Sequence, residues 1–291
     1  MRTQHVNSPF NLGRAFRAIT LGVLATIPFY PRSAWAQAGT TATVESVCAS
    51  LYRFKTKLDL AAAMSGADSR VSHRWGEANA TVTGSSSSGG PVLRVTYPIG
   101  SINPGNAMAP VGGAGFQLQL PDHADAGCLS YRVRFAPGFD FAKGGKLPGL
   151  YGGVDQRGCV APGPASGFSA RLMWRAGGMG ELYLYAPGRT TRCGESIARG
   201  AWRFTPGTWI GVTEEVIANA PGRSDGVIRV WIDGKRVVEQ IGLVLRDSSG
   251  IGVDGLLFST FFGGSDPGWA SPRDQYAEFG DFTLWTGRTL P

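Results

Sequence analysis

Short runs of alternating or branched apolar residues recur from Pro91 towards the end of the chain, and turns rich in glycine and proline separate them. Such runs are typical of β-strands, and no segment has the length and 3.6-residue period of a crossover helix. The pattern therefore predicts an all-β fold, an antiparallel β-sandwich of the jelly-roll type. Nine strands are expected, at residues 92–97, 115–120, 128–135, 167–175, 181–186, 209–218, 226–232, 255–262 and 277–286.

The same pattern predicts the domain organisation. No internal repeat or linker interrupts the strand-rich part of the chain, so residues 91–291 are expected to form one domain. Within it, residues 226–238 are expected to form a hairpin, because Asp233-Gly234 is a pair that the type I′ turn prefers. Residues 37–90 are expected to lead into this domain or to pack on it.

A second hairpin is predicted at residues 168–186, with its turn at 176–180. Successive side chains of a strand point to opposite faces. The apolar face, which must point to the core, carries Ala170, Leu172, Trp174, Leu182 and Leu184, and the polar face carries Ser169, Arg171, Met173, Arg175, Glu181, Tyr183 and Tyr185. Symmetric closure of the loop predicts the cross-strand pairs Arg175–Glu181, Met173–Tyr183 and Arg171–Tyr185. The polar face is either a solvated sheet surface or the lining of a cleft.

The segments on either side of this hairpin add chemistry to its polar face. Upstream, residues 141–153 (FAKGGKLPGLYGG) place Lys143 and Lys146 in a turn-rich loop, where glycine lets the backbone approach a ligand closely. Downstream, residues 258–264 (FSTFFGG) and Trp269 supply hydroxyls and aromatic rings suited to a sugar, although one of the two adjacent phenylalanines is expected in the core. A cationic loop beside arginines and tyrosines favours a carboxylated or sulfated ligand.

The first 36 residues resemble a signal peptide, and their removal would lower the net charge of the chain. Arginines precede the apolar run 18–30 and Ala34-Trp35-Ala36 follows it, which is the pattern of a cleaved secretory signal peptide. The run is shorter than the roughly 20 residues of a spanning helix, so we expect export to the periplasm or the medium without stable membrane insertion. Residues 1–36 hold four of the 28 basic and none of the 21 acidic residues, which leaves 24 against 21, a net charge of +3. This excess is too small to favour nucleic acid as a partner.

The four cysteines are expected to form two disulfides, since an even number in an exported chain favours pairing. Cys159 and Cys193 flank the 168–186 hairpin, and a bridge between them would leave Cys48 with Cys128. The other two pairings stay open. No metal site is expected, because the chain has no CxxC motif and its histidines lie near no pair of ligands.

Several segments together resemble polysaccharide lyase family 14, the alginate and glucuronan lyases. LRVTYPIGSINPG at 93–105 is followed in order by KGGKLPGLYGG, FSARLMWR, ELYLY, RGAWRF, PGRSDGVIRVWIDG and FSTFFGG, so the resemblance runs over about residues 91–286. It implies a jelly roll with an open substrate cleft and cleavage of a uronate chain by β-elimination, without a cofactor. Alginate is the favoured substrate and glucuronan the next.

The resemblance also implies the roles of individual residues. Elimination needs a neutralised C6 carboxylate, a base for the C5 proton and an acid for the O4 leaving oxygen. Tyr183 or Tyr185 is expected to be the acid or base, and Lys146 and Arg171 to polarise or orient the uronate. Substrate binding is expected from Ser169 (as a hydrogen-bond donor rather than a nucleophile), Lys143, Arg94, Thr260 and Arg175.

Two other functions are compatible with the sequence. A non-catalytic, lectin-like sandwich could keep tryptophan and arginine, but it would have no reason to keep the lysine segment and the paired tyrosines together. A hydrolase would need two carboxyl groups. Glu181 and Asp155 are the nearest acids, but Glu181 is more simply explained as the ion-pair partner of Arg175. The partner expected is an anionic polysaccharide, bound by a monomer.

Overall fold

The computed structural model describes residues 45–85, 90–154, 157–159 and 167–289. Two short helices, α1 and α2, cover Ser46–Leu51 and Leu60–Ser65. The strands are β1 Tyr52–Lys57, β2 Val71–Trp75, β3 Ala80–Ser85, β4 Pro91–Tyr97, β5 Ala114–Ala124, β6 Ala126–Phe135, β7 Gly144–Gly153, β8 Gly167–Arg175, β9 Gly180–Tyr185, β10 Glu195–Ile197, β11 Ile210–Ile217, β12 Gly226–Ile232, β13 Lys235–Leu243, β14 Val253–Phe262 and β15 Gln275–Arg288.

These strands form two antiparallel sheets that pack face to face. The outer sheet has the order β13-β12-β11-β6-β15-β4-β3, and β1 also pairs with β15. The cleft sheet has the order β10-β9-β8-β7-β14-β5-β2. One continuous apolar core fills the space between them, with an aromatic cluster in which Trp174 of the cleft sheet meets Tyr97 and Phe135 of the outer sheet edge to face. The predicted all-β sandwich of the jelly-roll type is confirmed.

All nine predicted strands are present, and their ends differ from the predicted ones by a few residues. The predicted type I′ hairpin is also present, since Asp233 and Gly234 both have positive φ, +48° and +78°. Residues 45–85, which the sequence pattern left unassigned, contribute to both sheets: β1 and β3 pair with β15 and β4, and β2 pairs with β5.

Residues 144–153 differ most from the sequence-based expectation. They were predicted to lie in a loop because they contain five glycines and a proline, yet they form β7, in the middle of the cleft sheet. Glycine weakens a strand but suits one whose neighbours approach closely. At Gly149, for example, a Cβ would lie 1.9 Å from the carbonyl oxygen of Ala170.

The disulfides pair as Cys48–Cys128 and Cys159–Cys193, the arrangement that the position of the hairpin favoured. The expected signal peptide lies outside the described residues. Neither α1 nor α2 is long enough and apolar enough to cross a membrane, nor is any other helix in the described part of the chain.

Candidate active site

A cleft of about 640 Å³ lies on the exposed face of the cleft sheet. It runs across the strands, from Trp75 on β2, past β14, β7 and β8, to the tyrosines of β9. Loops at 103–104, 157–159 and 263–269 form its rim. The residues that line it are Trp75, Asn103, Pro104, Lys146, Arg157, Gly158, Cys159, Arg171, Met173, Arg175, Tyr183, Tyr185, Cys193, Ser259, Phe261, Gly263, Gly264, Ser265 and Trp269.

The faces of the 168–186 hairpin are as predicted. The apolar residues of β8 and β9 lie in the core between the sheets, and Trp174 is fully buried there. Arg171, Met173, Arg175, Tyr183 and Tyr185 line the cleft. The polar alternation of the hairpin therefore marks the floor of a cleft, not a solvated sheet surface.

The predicted cross-strand pairing of the hairpin is wrong by two residues. Arg171 pairs with Tyr183, and the other pairs are Ser169–Tyr185 and Met173–Glu181. The cause is the turn, which does not close symmetrically. The N–H of Arg175 donates to the carbonyl of Met179, and Gly177 and Gly178 take positive φ values of +65° and +76°.

Arg175 and Glu181 still form the predicted ion pair, as diagonal neighbours. Arg175 Nη2 lies 2.6 Å from Glu181 Oε1, while Arg199 Nε and Ser196 Oγ donate to Oε2 at 2.7 and 2.6 Å. Burial alone would raise the pKa of the Glu181 carboxyl, but these hydrogen bonds outweigh it and lower its pKa. Glu181 is thus a permanently charged anchor for Arg175, unsuited to be a general acid.

Lys146 projects from β7 into the middle of the cleft. Its Nζ lies 2.8 Å from Met173 Sδ and 3.9 Å from the centre of the Tyr183 ring, and only 8% of the residue is exposed. Burial lowers the pKa of Lys146 well below its ordinary value, and the charges of Arg171 and Arg175 lower it further against the smaller opposing effect of Glu181. A lysine in these surroundings gives up its proton more readily than a surface lysine does.

Tyr183 and Tyr185 lie side by side on β9. Their rings meet edge to face with centroids 5.5 Å apart. Burial raises the pKa of Tyr183 to about 12, with a further contribution from Tyr185, to which it is hydrogen-bonded, and against a lowering effect of Arg175. Tyr183 therefore keeps its proton at neutral pH. The guanidinium groups of Arg171 and Arg189 lie 5.7 and 5.2 Å from the Tyr185 ring centre.

The charge of the cleft is uniformly positive. Lys146, Arg157, Arg171 and Arg175 all line it, and its lining has no aspartate or glutamate among the described residues. Trp75 and Trp269 flank these basic residues, and the guanidinium carbon of Arg175 lies 5.5 Å from the centre of the Trp269 ring. This arrangement suits a chain that carries carboxylates and offers sugar rings for stacking.

The other predicted binding residues do not all reach the cleft. Lys143 lies at the rim, where its Nζ contacts Asp266 at 3.2 Å beside the Trp269 loop. Ser169 is fully buried at the Tyr185 end of β8 and does not belong to the lining.

Arg94 and Thr260 lie away from the cleft, which corrects their predicted role. Arg94 is on β4 in the outer sheet, where it pairs with Glu278 at 2.7 Å. Thr260 points into the core and hydrogen-bonds with the Tyr97 hydroxyl at 2.5 Å. Its neighbours Ser259 and Phe261 line the cleft instead, while Phe262 is in the core, as expected for one of the two phenylalanines.

The sequence did not predict Trp75, Asn103 or Arg157 as lining residues, and it offered Ser259 only as one of the two hydroxyls of residues 258–264. Trp75 lies in the segment whose strands the sequence pattern did not reveal. Because Phe258 and Phe262 both face the core, alternation places Thr260 with them and could have selected Ser259 as the cleft hydroxyl. In the described part of the chain no group of three potential metal ligands occurs.

The fold is similar to that of known lyases. The marine PL-14 alginate lyase from Aplysia kurodai is 32% identical over 81% of this chain and 99% of its own, with a TM-score of 0.67. The alginate lyase vAL-1 from Chlorella virus (24% identity, 79% and 98% coverage, TM-score 0.63) and the endo-beta-1,4-glucuronan lyase from the fungus Trichoderma reesei (12%, 81% and 95%, 0.50) share the fold.

No curated protein sequence is significantly similar to the chain. The model of the polysaccharide lyase 14 family, however, matches residues 85–282, which is more than half of the chain. Together with the Aplysia kurodai structure, this match shows that the chain belongs to the polysaccharide lyase 14 family and is a polysaccharide lyase.

Proposed function

We propose that the protein cleaves a uronate polysaccharide by β-elimination, with alginate as the favoured substrate and glucuronan as the next. The observation that carries this proposal is the cleft lining, where three arginines and two tyrosines accompany one buried lysine and the described lining residues include no carboxylate. The elimination removes the C5 proton, forms a C4=C5 double bond and breaks the bond from C4 to the O4 leaving oxygen.

Arg171 and Arg175 neutralise the uronate carboxylate in this proposal. The C5 proton is weakly acidic as long as the C6 carboxylate keeps its full charge, so positive groups at that carboxylate stabilise the developing negative charge. Both guanidiniums are buried at the cleft floor, where their charges are less screened by water. Arg175 is held there by Glu181, and Arg171 lies beside Tyr185.

Lys146 is the proposed base. Among the described groups at the centre of the cleft, its pKa is the one that moves towards neutrality, so the amine can be neutral before substrate binds. A base works best when its pKa lies near the working pH. This role differs from the cationic one that the sequence resemblance implied, because burial among arginines disfavours the charged ammonium.

Tyr185 is the proposed acid, and Tyr183 supports it as a hydrogen-bond partner. Tyr183 keeps its proton, since its pKa is about 12, and is hydrogen-bonded to Tyr185. Tyr185 then gives its proton to O4 as the C4–O4 bond breaks, and Tyr183 stabilises the resulting tyrosinate. The step leaves a lysine ammonium and a tyrosinate, and proton exchange with solvent restores both.

Peripheral residues complete the proposal. Ser169, as a hydrogen-bond donor, would support the Tyr185 end of the site, and Lys143 would contact a sugar at the rim near Trp269. We further propose that residues 1–36 are a cleaved signal peptide and that the mature protein acts as a monomer outside the cytoplasm. The two disulfides are consistent with an oxidising compartment.

The alternatives predict different products. A lectin-like protein would bind the polymer and leave it intact. A hydrolase would need two carboxyl groups at the cleft, whereas Glu181 is held by Arg175, Ser196 and Arg199, and Asp155 lies outside the described residues.

One experiment separates these possibilities. The mature protein is incubated with alginate and, separately, with polyglucuronate, and both ultraviolet absorbance and reducing ends are followed. Parallel increases in absorbance and reducing ends are expected on alginate. Reducing ends without absorbance would indicate hydrolysis, and binding without either would indicate a lectin; both results contradict the proposal.

A further inference from the structure

Lys146 faces the cleft because of an irregularity in β7. Gly149 pairs with Arg171 and Lys146 pairs with Met173, so three steps along β7 match two steps along β8. On the other side, Gly149 and Lys146 pair with Leu257 and Phe261, four steps apart on β14. Over this stretch β7 therefore has one residue more than β8, and one extra residue reverses the alternation of the side chains that follow it.

The reversal decides which side chains enter the core. Leu147 and Leu150 both belong to the core, although regular alternation would place them on opposite faces. Tyr151 pairs with Ser169 on the cleft side. Counting regularly from Tyr151, Leu147 would face the cleft and Lys146 the core, so a regular β7 would bury the lysine between the sheets.

Two side chains from the outer sheet bind the backbone of this irregular segment. The N–H of Leu150 donates to Oε2 of Glu214 on β11 at 2.9 Å. The hydroxyl of Tyr131 on β6 donates to the carbonyl of Pro148 at 3.3 Å. Both reach across the core from behind the cleft. One hydrogen bond is made to Pro148, within the bulged stretch between Lys146 and Gly149, and the other to Leu150, the residue that follows this stretch.

Glu214 has an unusual position for an acidic residue. It is 1% exposed and lies on the inward face of β11 between the core residues Val212 and Val216. Burial raises the pKa of its carboxyl well above the ordinary value, against the smaller effect of the Leu150 hydrogen bond. A neutral carboxylic acid at this position still costs free energy of desolvation, which the hydrogen bond from β7 offsets.

We infer that Glu214 is a positioning residue for Lys146, which holds the β7 irregularity from the core side together with Tyr131 and thereby sets where the lysine amine lies in the cleft. The inference rests on the proposed function of Lys146 as the base. Glu214 touches neither the substrate nor Lys146; it acts through the backbone of Pro148 to Leu150.

Replacing Glu214 tests this chain of contacts. Glu214→Gln keeps an acceptor for the Leu150 N–H without adding charge, so kcat and its pH dependence are expected to stay close to wild type. Glu214→Leu removes the acceptor at similar size. A displaced Lys146 is then expected to lower kcat by about 10- to 100-fold with little change in KM. Greater contact of its amine with water raises its pKa, so the acidic limb of the kcat profile moves to higher pH.

Two further variants make the result decisive. Val238→Ala is the matched control for stability, since Val238 is a buried core residue on the edge strand β13, which has no extensive contact with β7; it should lower Tm and leave the pH profile unchanged. Tyr131→Phe removes the donor to Pro148 alone, and a smaller shift of the acidic limb in the same direction is expected. If Glu214→Leu does not fold, Tyr131→Phe decides, and an unshifted profile overturns the inference.

The inference is also overturned if folded Glu214→Leu keeps the wild-type kcat and pH profile, if Glu214→Gln is as impaired as Glu214→Leu, or if Val238→Ala shifts the profile equally. Lys146→Ala, measured in parallel, separates this inference from the proposed function. An active Lys146→Ala would contradict the role of the lysine itself. An inactive Lys146→Ala beside an unaffected Glu214→Leu would contradict the positioning role alone.

Discussion

At the scale of single residues, the ionisation of Lys146 depends first on its burial and then on its cationic neighbours. The lysine is buried with Arg171 and Arg175, and both arginines disfavour its charged form. Glu181 acts in the opposite direction but is itself engaged by Arg175, Arg199 and Ser196. The cleft therefore combines permanent positive charge for the substrate carboxylate with one amine that can accept a proton.

Arg175→Gln tests this electrostatic coupling. Removing one positive neighbour makes the Lys146 ammonium less unfavourable, so the pKa of Lys146 rises. The amine is then neutral only at higher pH, and the acidic limb of kcat/KM is expected to move to higher pH. The pH profiles of the variant and of Arg223→Gln, which replaces an exposed surface arginine, provide the comparison. An unchanged limb in Arg175→Gln would show that Lys146 does not control it.

The tyrosines are tested by removing one hydroxyl at a time. Tyr185→Phe is expected to lower kcat by about 100-fold or more, the usual effect of losing a general acid. Tyr183→Phe should lower kcat less, because it removes a hydrogen bond to the acid and not the transferred proton. Circular dichroism checks that both variants fold. Full activity of both variants would refute the assignment of the acid to this pair.

At the scale of elements, the two disulfides have different relations to the cleft. Cys159 and Cys193 line it beside Tyr183 and Tyr185, whereas Cys48–Cys128 joins α1 to β6 in a separate small core. The loops that they close differ in length, with sequence separations of 34 and 80. Stability and activity should therefore respond differently to the loss of each bridge.

Paired serine substitutions test this difference. Loss of either disulfide is expected to destabilise the fold by about 2 to 5 kcal/mol, measured by denaturant unfolding. Only the Cys159→Ser/Cys193→Ser protein should also lose kcat/KM when assayed well below its Tm, because its bridge holds the cleft wall beside the tyrosines. Equal loss of kcat/KM in Cys48→Ser/Cys128→Ser would contradict this explanation.

Local alternation was enough to predict the strands and the faces of the β8–β9 hairpin, since Leu172 and Trp174 can only face the core. It could not predict β7, where glycines and Pro148 hide the strand and the irregularity reverses its faces. It also could not place Arg94, because the sheet to which β4 belongs depends on pairing between distant segments. The hairpin register was missed for a local reason, the asymmetric turn at 176–178.

At the scale of the whole molecule, the binding of an anionic polymer depends on a local concentration of charge. The part of the chain after residue 36 has a net charge of only +3, whereas the described lining of one cleft holds three arginines and a lysine and no acid. On the outer sheet, by contrast, arginines are paired with carboxylates, as Arg94 and Arg134 are with Glu278. The proposed recognition of a uronate chain therefore belongs to one face of the sandwich.

The mass of the products formed from alginate tests the central claim most directly. Elimination adds no water, so each cut should release an oligouronate whose new non-reducing end is one water lighter than a saturated end, and Lys146→Ala should release almost none. Products with saturated ends would show hydrolysis and contradict the account. Unsaturated products formed at the wild-type rate by Lys146→Ala would contradict the role assigned to the buried lysine.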